Sequence, residues 1–501
     1  MSGVQRQLAG NAQRSLNFGE QVVVAKVVAP DAVGDESFVC GDEGDFYIGE
    51  QRLDQYLRHR DQVWVVRLKA LLAELNYEQL TSCYQALGRR AIHPRVILGL
   101  IVYGIINGQW TLRGLERLAR VDLGAMWLAG RLQPDHSTIG KFISLHREVL
   151  SEDFFDELLK FLVTRLHLAV GTVAVDGTVI EAAASHYSVL RAEALREADR
   201  TPEVEQALAE RQRDRELHGR DTAMTAIAPG EPQAVVQQTK QGLYRPSYKP
   251  SLMVHSSGII AAKGVPASKE TAVVMPMVDC HVESFGAPPA RLLADAGYSE
   301  LELLGQLAER NIDVLCPAGQ AHSPSSWVKQ SRQGKIPKSA FRYDPDRDLY
   351  HCPAGRELER TNNARDAAGR NYTVYRGRRC GDCPLKLSCT KSAAGRTLNR
   401  YVGDELKEAM AQVFTQAAAR QQYRKRAAIV EPVFALLRQR QRLIRFHRRG
   451  LAGANIEFSL HCIAFNLRKA VGLAETSLFC VLLVRLPHRK WTLGTIASAS
   501  P

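Results

Sequence analysis

Hydrophobic spacing changes twice along the chain. From Leu53 to about Leu150 apolar residues recur at helical intervals, as in Val63, Leu68, Leu71, Leu72 and Leu75. Pro94 is placed to open a helix over Arg95–Gly104, and Thr111 to cap one that follows it. Pro134-Asp135-His136-Ser137-Thr138-Ile139-Gly140-Lys141-Phe142 reads as a cap followed by a further helix. From Thr172 the period becomes that of strands, predicted at 172–180, 251–256, 258–264, 290–294 and 312–316, with helices over 271–283 and 299–310. Val189–Gly219 reads as a charged, solvated helical excursion without an apolar stripe, and 221–240 as a loop. From about 318 to 400 the apolar period fades and Pro, Gly, Ser, Arg and Cys dominate; helix returns over 404–440 and 454–471. There are no internal repeats. The pattern predicts an α+β multidomain chain. An irregular arm (1–50) precedes a helical domain (51–168). An α/β domain (169–472) follows, interrupted by a Cys-rich inserted subdomain (318–403), and a tail (473–501) has no usable pattern.

The 501 residues suffice for two to four domains, and 45% apolar with 24% charged residues is a globular composition. The net charge of +13 points to a polyanionic partner, most simply DNA, although charge alone is equally compatible with a basic protein that has none. Ten cysteines are too sparse for a disulfide scaffold and suit a reducing cytoplasm. The first residues lack a signal-peptide apolar core, and the run Leu478–Val484 is too short to cross a bilayer, so no membrane is expected.

Three carboxylates stand in distinctive settings. Asp176 ends the apolar run Thr172-Val173-Ala174-Val175, and Asp295 ends Arg291-Leu292-Leu293-Ala294; a glycine follows each within two positions. Glu431 lies on a helical stretch whose apolar face is Ile429, Val430, Val433, Phe434 and Leu437. Singly, an Asp after a strand is a turn or cap residue. Together, two strand-end Asp and a helical Glu can hold two Mg²⁺ ions about 4 Å apart, a geometry for phosphodiester chemistry. Glu181 is a weaker candidate beside Asp176.

Two other clusters carry chemistry. Cys352, Cys380, Cys383 and Cys389 can complete a tetrahedral thiolate site for structural Zn²⁺, with unlinked buried thiols as the alternative; Cys316 lies further upstream. The segment Arg438–Arg449, read as a basic helix, packs six arginines into twelve residues, among them Arg438, Arg440, Arg442 and Arg445. Such density favours phosphate contacts over a merely solvated face. His447 is either a further phosphate contact or a surface residue. In the helical domain Arg113, Arg117, Arg120 and Lys141 fit a helix-turn-helix DNA reader, and a dimerisation module fits the periodicity equally well.

Over residues 45 to 471 the chain resembles the DDE transposases of bacterial insertion sequences, in the broad InsH-like group and nearest the branch numbered eleven-eighty-two. The resemblance rests on His93-Pro94-Arg95, Tyr103-Gly104, Met126-Trp127-Leu128-Ala129-Gly130 and Pro134–Ile139 in the helical part. It continues in Val175–Ala182, in Ala294–Tyr298, in Tyr423, Arg426, Val430, Glu431 and Phe434, and in Ala464-Phe465-Asn466-Leu467-Arg468. It implies an RNase H-like catalytic core, with Asp176, Asp295 and Glu431 as ligands for two Mg²⁺, Mn²⁺ being able to substitute. It implies that Tyr423 and Arg426 touch DNA. It also implies cutting and joining of double-stranded DNA by a homo-oligomer in the cytoplasm at the nucleoid. Two departures stand out: Arg438 replaces a common Lys, and Pro266–Thr271 lacks the usual Asn- and Asp-rich character. A nuclease that never joins, or a non-catalytic DNA-binding regulator, are the competing readings.

Overall fold

The computed structural model describes residues 16–18, 21–23, 37–41, 46–84, 90–239, 241–266, 269–317, 336–366 and 369–484. Between Leu53 and Arg165 it is entirely helical in its regular elements. The centre of this region is α1 (Pro94–Ile106), which is apolar all round and buried along nearly its whole length, as a helix without a polar face must be. Pro94 occupies its first turn, where a missing N–H costs nothing, and the His93 ring accepts from the Arg95 N–H at 3.0 Å. The caps on α2 (Leu112–Val121) and α4 (His136–Leu145), which flank α3 (Leu123–Leu128), follow the predicted chemistry. Thr111 Oγ1 accepts from Gly114 N, and Asp135 Oδ1 from Thr138 N.

The middle of the chain builds a five-stranded mixed sheet from β1 (Thr172–Gly177), β2 (Ser251–His255), β3 (Ile260–Gly264), β4 (Arg291–Leu293) and β5 (Asp313–Leu315). The spatial order is β3-β2-β1-β4-β5. The β3-β2 and β2-β1 pairs are antiparallel; β1-β4 and β4-β5 are parallel. Alternation along the strands divides two cores. Val173, Val175, Leu292 and Ala294 point to the layer formed by α5 (Val274–Phe285) and α6 (Leu301–Glu309). Ala174, Leu252 and Leu293 point the other way.

Residues 336–401 form a second, antiparallel sheet, ordered β6 (Arg342–Asp344), β7 (Leu349–His351), β8 (Glu357–Arg365), β9 (Asn371–Gly377) and β10 (Thr397–Tyr401). Its core is small: Ile336, Phe341, Tyr350, Leu358, Tyr375 and Leu398. Two helices close the fold. α7 (Ala417–Gln439) lays Val430, Val433, Phe434 and Leu437 against β1 and β2. α8 (Gly450–Val484) runs beside α1, and its Phe458 and Ile463 join Leu100, Phe155, Val254 and Ile260 in one continuous core. The helical domain and the first sheet therefore share their interior. Among the described residues no helix is long and apolar enough to cross a membrane.

Several expectations are corrected. Of Val189–Gly219 only Pro202–Leu217 forms an α-helix, and its Val204, Ala207 and Leu208 pack with Leu195 and Ile227 in a satellite core, so it is not simply solvated. The supposed loop 221–240 contains strands Ala226–Ile227 and Val235–Gln238 and buries Glu231, which accepts from Tyr248 Oη and Gly450 N. The basic segment Arg438–Arg449 is not a helix: α7 ends at Gln439, Arg442 adopts φ +57°, and buried Leu443 and Phe446 pin an irregular path. The helix expected to end near 471 continues to Val484. Much of the 1–50 arm, residues 318–335 of the insertion and 485–501 of the tail lie outside the described residues.

Candidate active site

Parallel pairing sets the first two carboxylates side by side. Leu293 on β4 is in register with Ala174 on β1, so two residues further on Asp295 comes abreast of Asp176. The same alternation turns both side chains toward the face covered by α7. Each is fixed by its own turn. Gly177 N donates to Asp176 Oδ1 at 3.0 Å; Gly297 N donates to Asp295 Oδ1 at 2.8 Å, capping the turn Ala296–Tyr298. Cys316 Sγ, at the end of β5, donates to the Asp295 backbone carbonyl. It therefore belongs to this centre and not to the other cysteines, and burial pushes its thiol up to about 12.

The cation between the aspartates is a guanidinium. Arg426 Nη2 lies 3.0 Å from Asp176 Oδ1 and 3.7 Å from Asp295 Oδ2. The Arg426 side chain is only 14% exposed, and its Nε is buried with no partner. Arg438, three turns further along α7, is half-buried; its Nη2 also has no partner, and it feels the Asp176 charge. Burial pushes the Asp176 carboxyl above the ordinary carboxylate value, Arg426 and the Gly177 N–H oppose the rise, and Asp295 and Glu270 add to it.

Glu270 escaped the sequence reading. It follows β3, its carboxylate pairs with Lys249 at 3.0 Å, and it packs so closely on Gly177 that a Cβ there would stand 2.5 Å from Glu270 Oε1. The buried Tyr298 ring feels Glu270, Asp176 and Asp295 together, which with desolvation holds its hydroxyl far above the ordinary value. Three acids thus surround this point, and the signal for the third was the β2–β3 hairpin, which returns the chain to the end of β1.

Glu431 is not among them. It is exposed, and the Arg426 guanidinium that joins the two aspartates makes no ion pair with it. The reason is angular: it follows buried Val430 by one residue, about 100° around the helix from the face that meets the sheet. Among the described residues no three His, Cys, Asp or Glu side chains are arranged to hold a metal ion. Tyr423 is half-buried on α7, edge-on to Phe414. Arg440 and Arg442 are exposed, whereas Arg445 donates to the carbonyls of Ala182 and Ala184, and Glu181 pairs through its backbone with this segment. His447 stacks edge-on against Trp110, with its backbone N–H on Glu457.

Cys352, Cys380, Cys383 and Cys389 line one cavity of the second sheet, with Ile336, Phe341, Leu358 and Leu385. All are free thiols. Arg356 N donates to Cys352 Sγ at 3.3 Å, and Cys380 Sγ donates to Gly377 O at 3.4 Å. Gly395, at φ +92°, admits this approach: a Cβ would lie 2.1 Å from Gly377 O. Burial, with the three neighbouring thiols, raises the Cys389 pKa.

Comparison with known families adds two matches. Residues 351–471 match the model of a transposase DDE domain, and residues 51–145 match a transposase domain (DUF772). The two matches support a DDE transposase of the insertion-sequence type. The DDE-domain match spans the thiol cavity, α7 and Glu431, and begins after both aspartates. No curated protein matches the chain.

Proposed function

We propose that this transposase binds the ends of an insertion sequence in double-stranded DNA and cuts and joins them by phosphoryl transfer. The observation that carries the reading is the pair Asp176–Asp295, set abreast on adjacent parallel strands around one cation position. The sheet order β3-β2-β1-β4-β5 with a single reversed strand supports an RNase H-like core.

Hard oxygen donors at a strand-end cleft fit Mg²⁺ or Mn²⁺, which when bound would lower the pKa of an attacking hydroxyl and offset charge on the leaving oxygen. Asp176 and Asp295 would be the ligands on the sheet. Glu431 would complete the set by turning in from the edge of α7, and Glu270 stands closer at hand. Arg438, with its planar fork, would hold a scissile-strand phosphate, and Tyr423, Arg426, Arg440 and Arg442 would line the strand. Water attacks the phosphodiester at the element end and frees a 3′-hydroxyl. That hydroxyl then attacks a target phosphodiester and displaces the next 3′-oxygen, with no covalent protein intermediate. Two ends must be held at once, so a homo-oligomer is expected on DNA at the nucleoid. The four thiols line one cavity in a module with few apolar residues; they are not arranged around a common point, and a structural Zn²⁺ would have to draw them together. The eleven-eighty-two branch remains our assignment within the family.

The test is a cleavage and strand-transfer assay on the element's own ends, with divalent metal or chelator, for the native chain and Asp295→Ala. Metal-dependent joining that the variant abolishes while still binding ends supports the reading. Cutting without joining would replace it by a nuclease, and binding without chemistry by a regulator.

A further inference from the structure

We propose that Arg426 is a stand-in cation that keeps the aspartate pair closed until a DNA phosphate draws it away, so that metal loading and DNA engagement are coupled. The inference rests on the proposed role of Asp176 and Asp295 as metal ligands.

One guanidinium nitrogen reaches both carboxylates. It approaches Asp176 Oδ1 at hydrogen-bonding distance, and a divalent cation between the two carboxylates would stand beside the guanidinium, so like-charge repulsion sets the two occupants against each other. An arginine cannot yield by losing its proton; it can leave only as a cation, and it needs an anion to leave for. A phosphate oxygen pair matches its planar fork better than any carboxylate on this face of α7, because Glu431 points away. The donors for such an exchange are already in place: Arg426 Nε and Arg438 Nη2 are both buried without a partner, on the same helix and beside the same aspartate. A phosphate that Arg426 turned to meet would pull it off the pair and leave two adjacent carboxylates uncompensated, which raises their demand for a divalent cation. By linkage, a cation that then binds must strengthen DNA binding by the same factor.

The readout is equilibrium binding of Mn²⁺ to the full chain, followed by the paramagnetic signal of the free ion, with and without a duplex of arbitrary sequence at low salt. We expect weak Mn²⁺ binding by the native chain alone, tightened roughly tenfold or more by duplex, in line with ordinary coupling energies. Arg426→Gln should bind Mn²⁺ tightly without DNA and respond little to it. Arg426→Lys, which keeps the charge but reaches less far, should fall between. Equal Mn²⁺ affinity of the native chain with and without duplex overturns the coupling and needs no variant to fold. Mn²⁺ binding by Arg426→Gln no tighter than by the native chain overturns the competition. If no form binds Mn²⁺ even on DNA, the metal reading itself fails; if Asp176→Asn abolishes binding in every arm, that reading stands and only the role of Arg426 is at issue.

Discussion

The aspartate centre and the cysteine cavity both gather groups suited to a cation, but they are held together in different ways. The aspartates stand at the ends of β1 and β4, between two apolar layers, and α7 supplies a counter-charge at 3.0 Å. Their positions are dictated by a scaffold that would persist without them. The thiols sit in a five-stranded sheet whose core is six side chains, and Arg356, Arg379, Lys386 and Arg396 line the same cavity. The first arrangement makes the donors a consequence of the fold. The second, on the proposed Zn²⁺ reading, would make the fold depend in part on the ion that the donors hold. Variants should therefore separate chemistry from stability at the first site and merge them at the second.

The largest effect should come from Asp176→Asn or Asp295→Asn. If the pair holds the metal as proposed, removing one carboxylate forfeits several kcal/mol of transition-state stabilisation, so strand cleavage should fall by roughly 10³-fold or more. Duplex binding by gel shift should change by less than about threefold, because positioning by phosphate contacts is left intact. A parallel collapse of DNA binding would mean that the pair is structural.

Acid should be the next largest perturbation, and it should act on the aspartate scaffold before the thiol module. His146, His281 and His461 are buried in the scaffold, and desolvation lowers them to about 4, about 4 and about 3. Their folded pKa values lie below the unfolded value of about 6.5, so the unfolded chain binds more protons throughout the interval. Stability is full above that value and is lost as pH falls toward 4. At pH 5 each should cost about 2 kcal/mol, read as a lower urea midpoint than at pH 7. His351 is the histidine of the second sheet that faces an acid, Asp344, and that sheet buries no histidine among the described residues. A midpoint that does not move between pH 7 and 5 would refute this account.

How far the sequence carried each region follows from where its apolar residues lie. The strands that bear Asp176 and Asp295 were legible because buried parallel strands are continuous apolar runs, and the caps at Thr111 and Asp135 because their chemistry is local. Arg426 was legible in principle: with Val430, Val433 and Leu437 it shares the 4-3-4 spacing of one helical stripe, so it had to face the sheet, as Glu431 did not. Glu270 was harder: both strands of its hairpin were read, but only their register brings it to Gly177. The second sheet was missed because β8, Glu357–Arg365, buries only Leu358 and shows no alternation to read. The bend at Arg442 depends on Leu443 and Phe446 finding a core laid down by residues far away in sequence.

For the thiols, Cys380→Ser or Cys383→Ser should release bound Zn²⁺, measured with a chromogenic chelator, and lower the melting temperature by roughly 5 °C or more, as expected where an ion contributes folding energy. A chelator should reproduce the loss in the native chain and do nothing further to either variant. An unchanged melting curve with no Zn²⁺ released would make these four unlinked thiols, and the contrast between the two regions would then be one of packing alone.

The smallest effects should divide the arginines beyond α7. Arg440 and Arg442 are exposed, so each Ala variant should weaken duplex binding a few-fold and reduce the slope of log affinity against log salt by about 1, the signature of one lost phosphate contact. Arg445 is different: its guanidinium is committed to the carbonyls of Ala182 and Ala184, tying the irregular segment to the strand just after Asp176. Arg445→Ala should leave the salt slope alone and cost about 1 kcal/mol of stability instead, through two lost charge-assisted hydrogen bonds on an accessible side chain. If Arg445→Ala lowers the slope as much as Arg440→Ala does, the arginine exchanges its carbonyl partners for phosphate on DNA. It would then exchange a protein partner for a phosphate on DNA, as Arg426 is proposed to do.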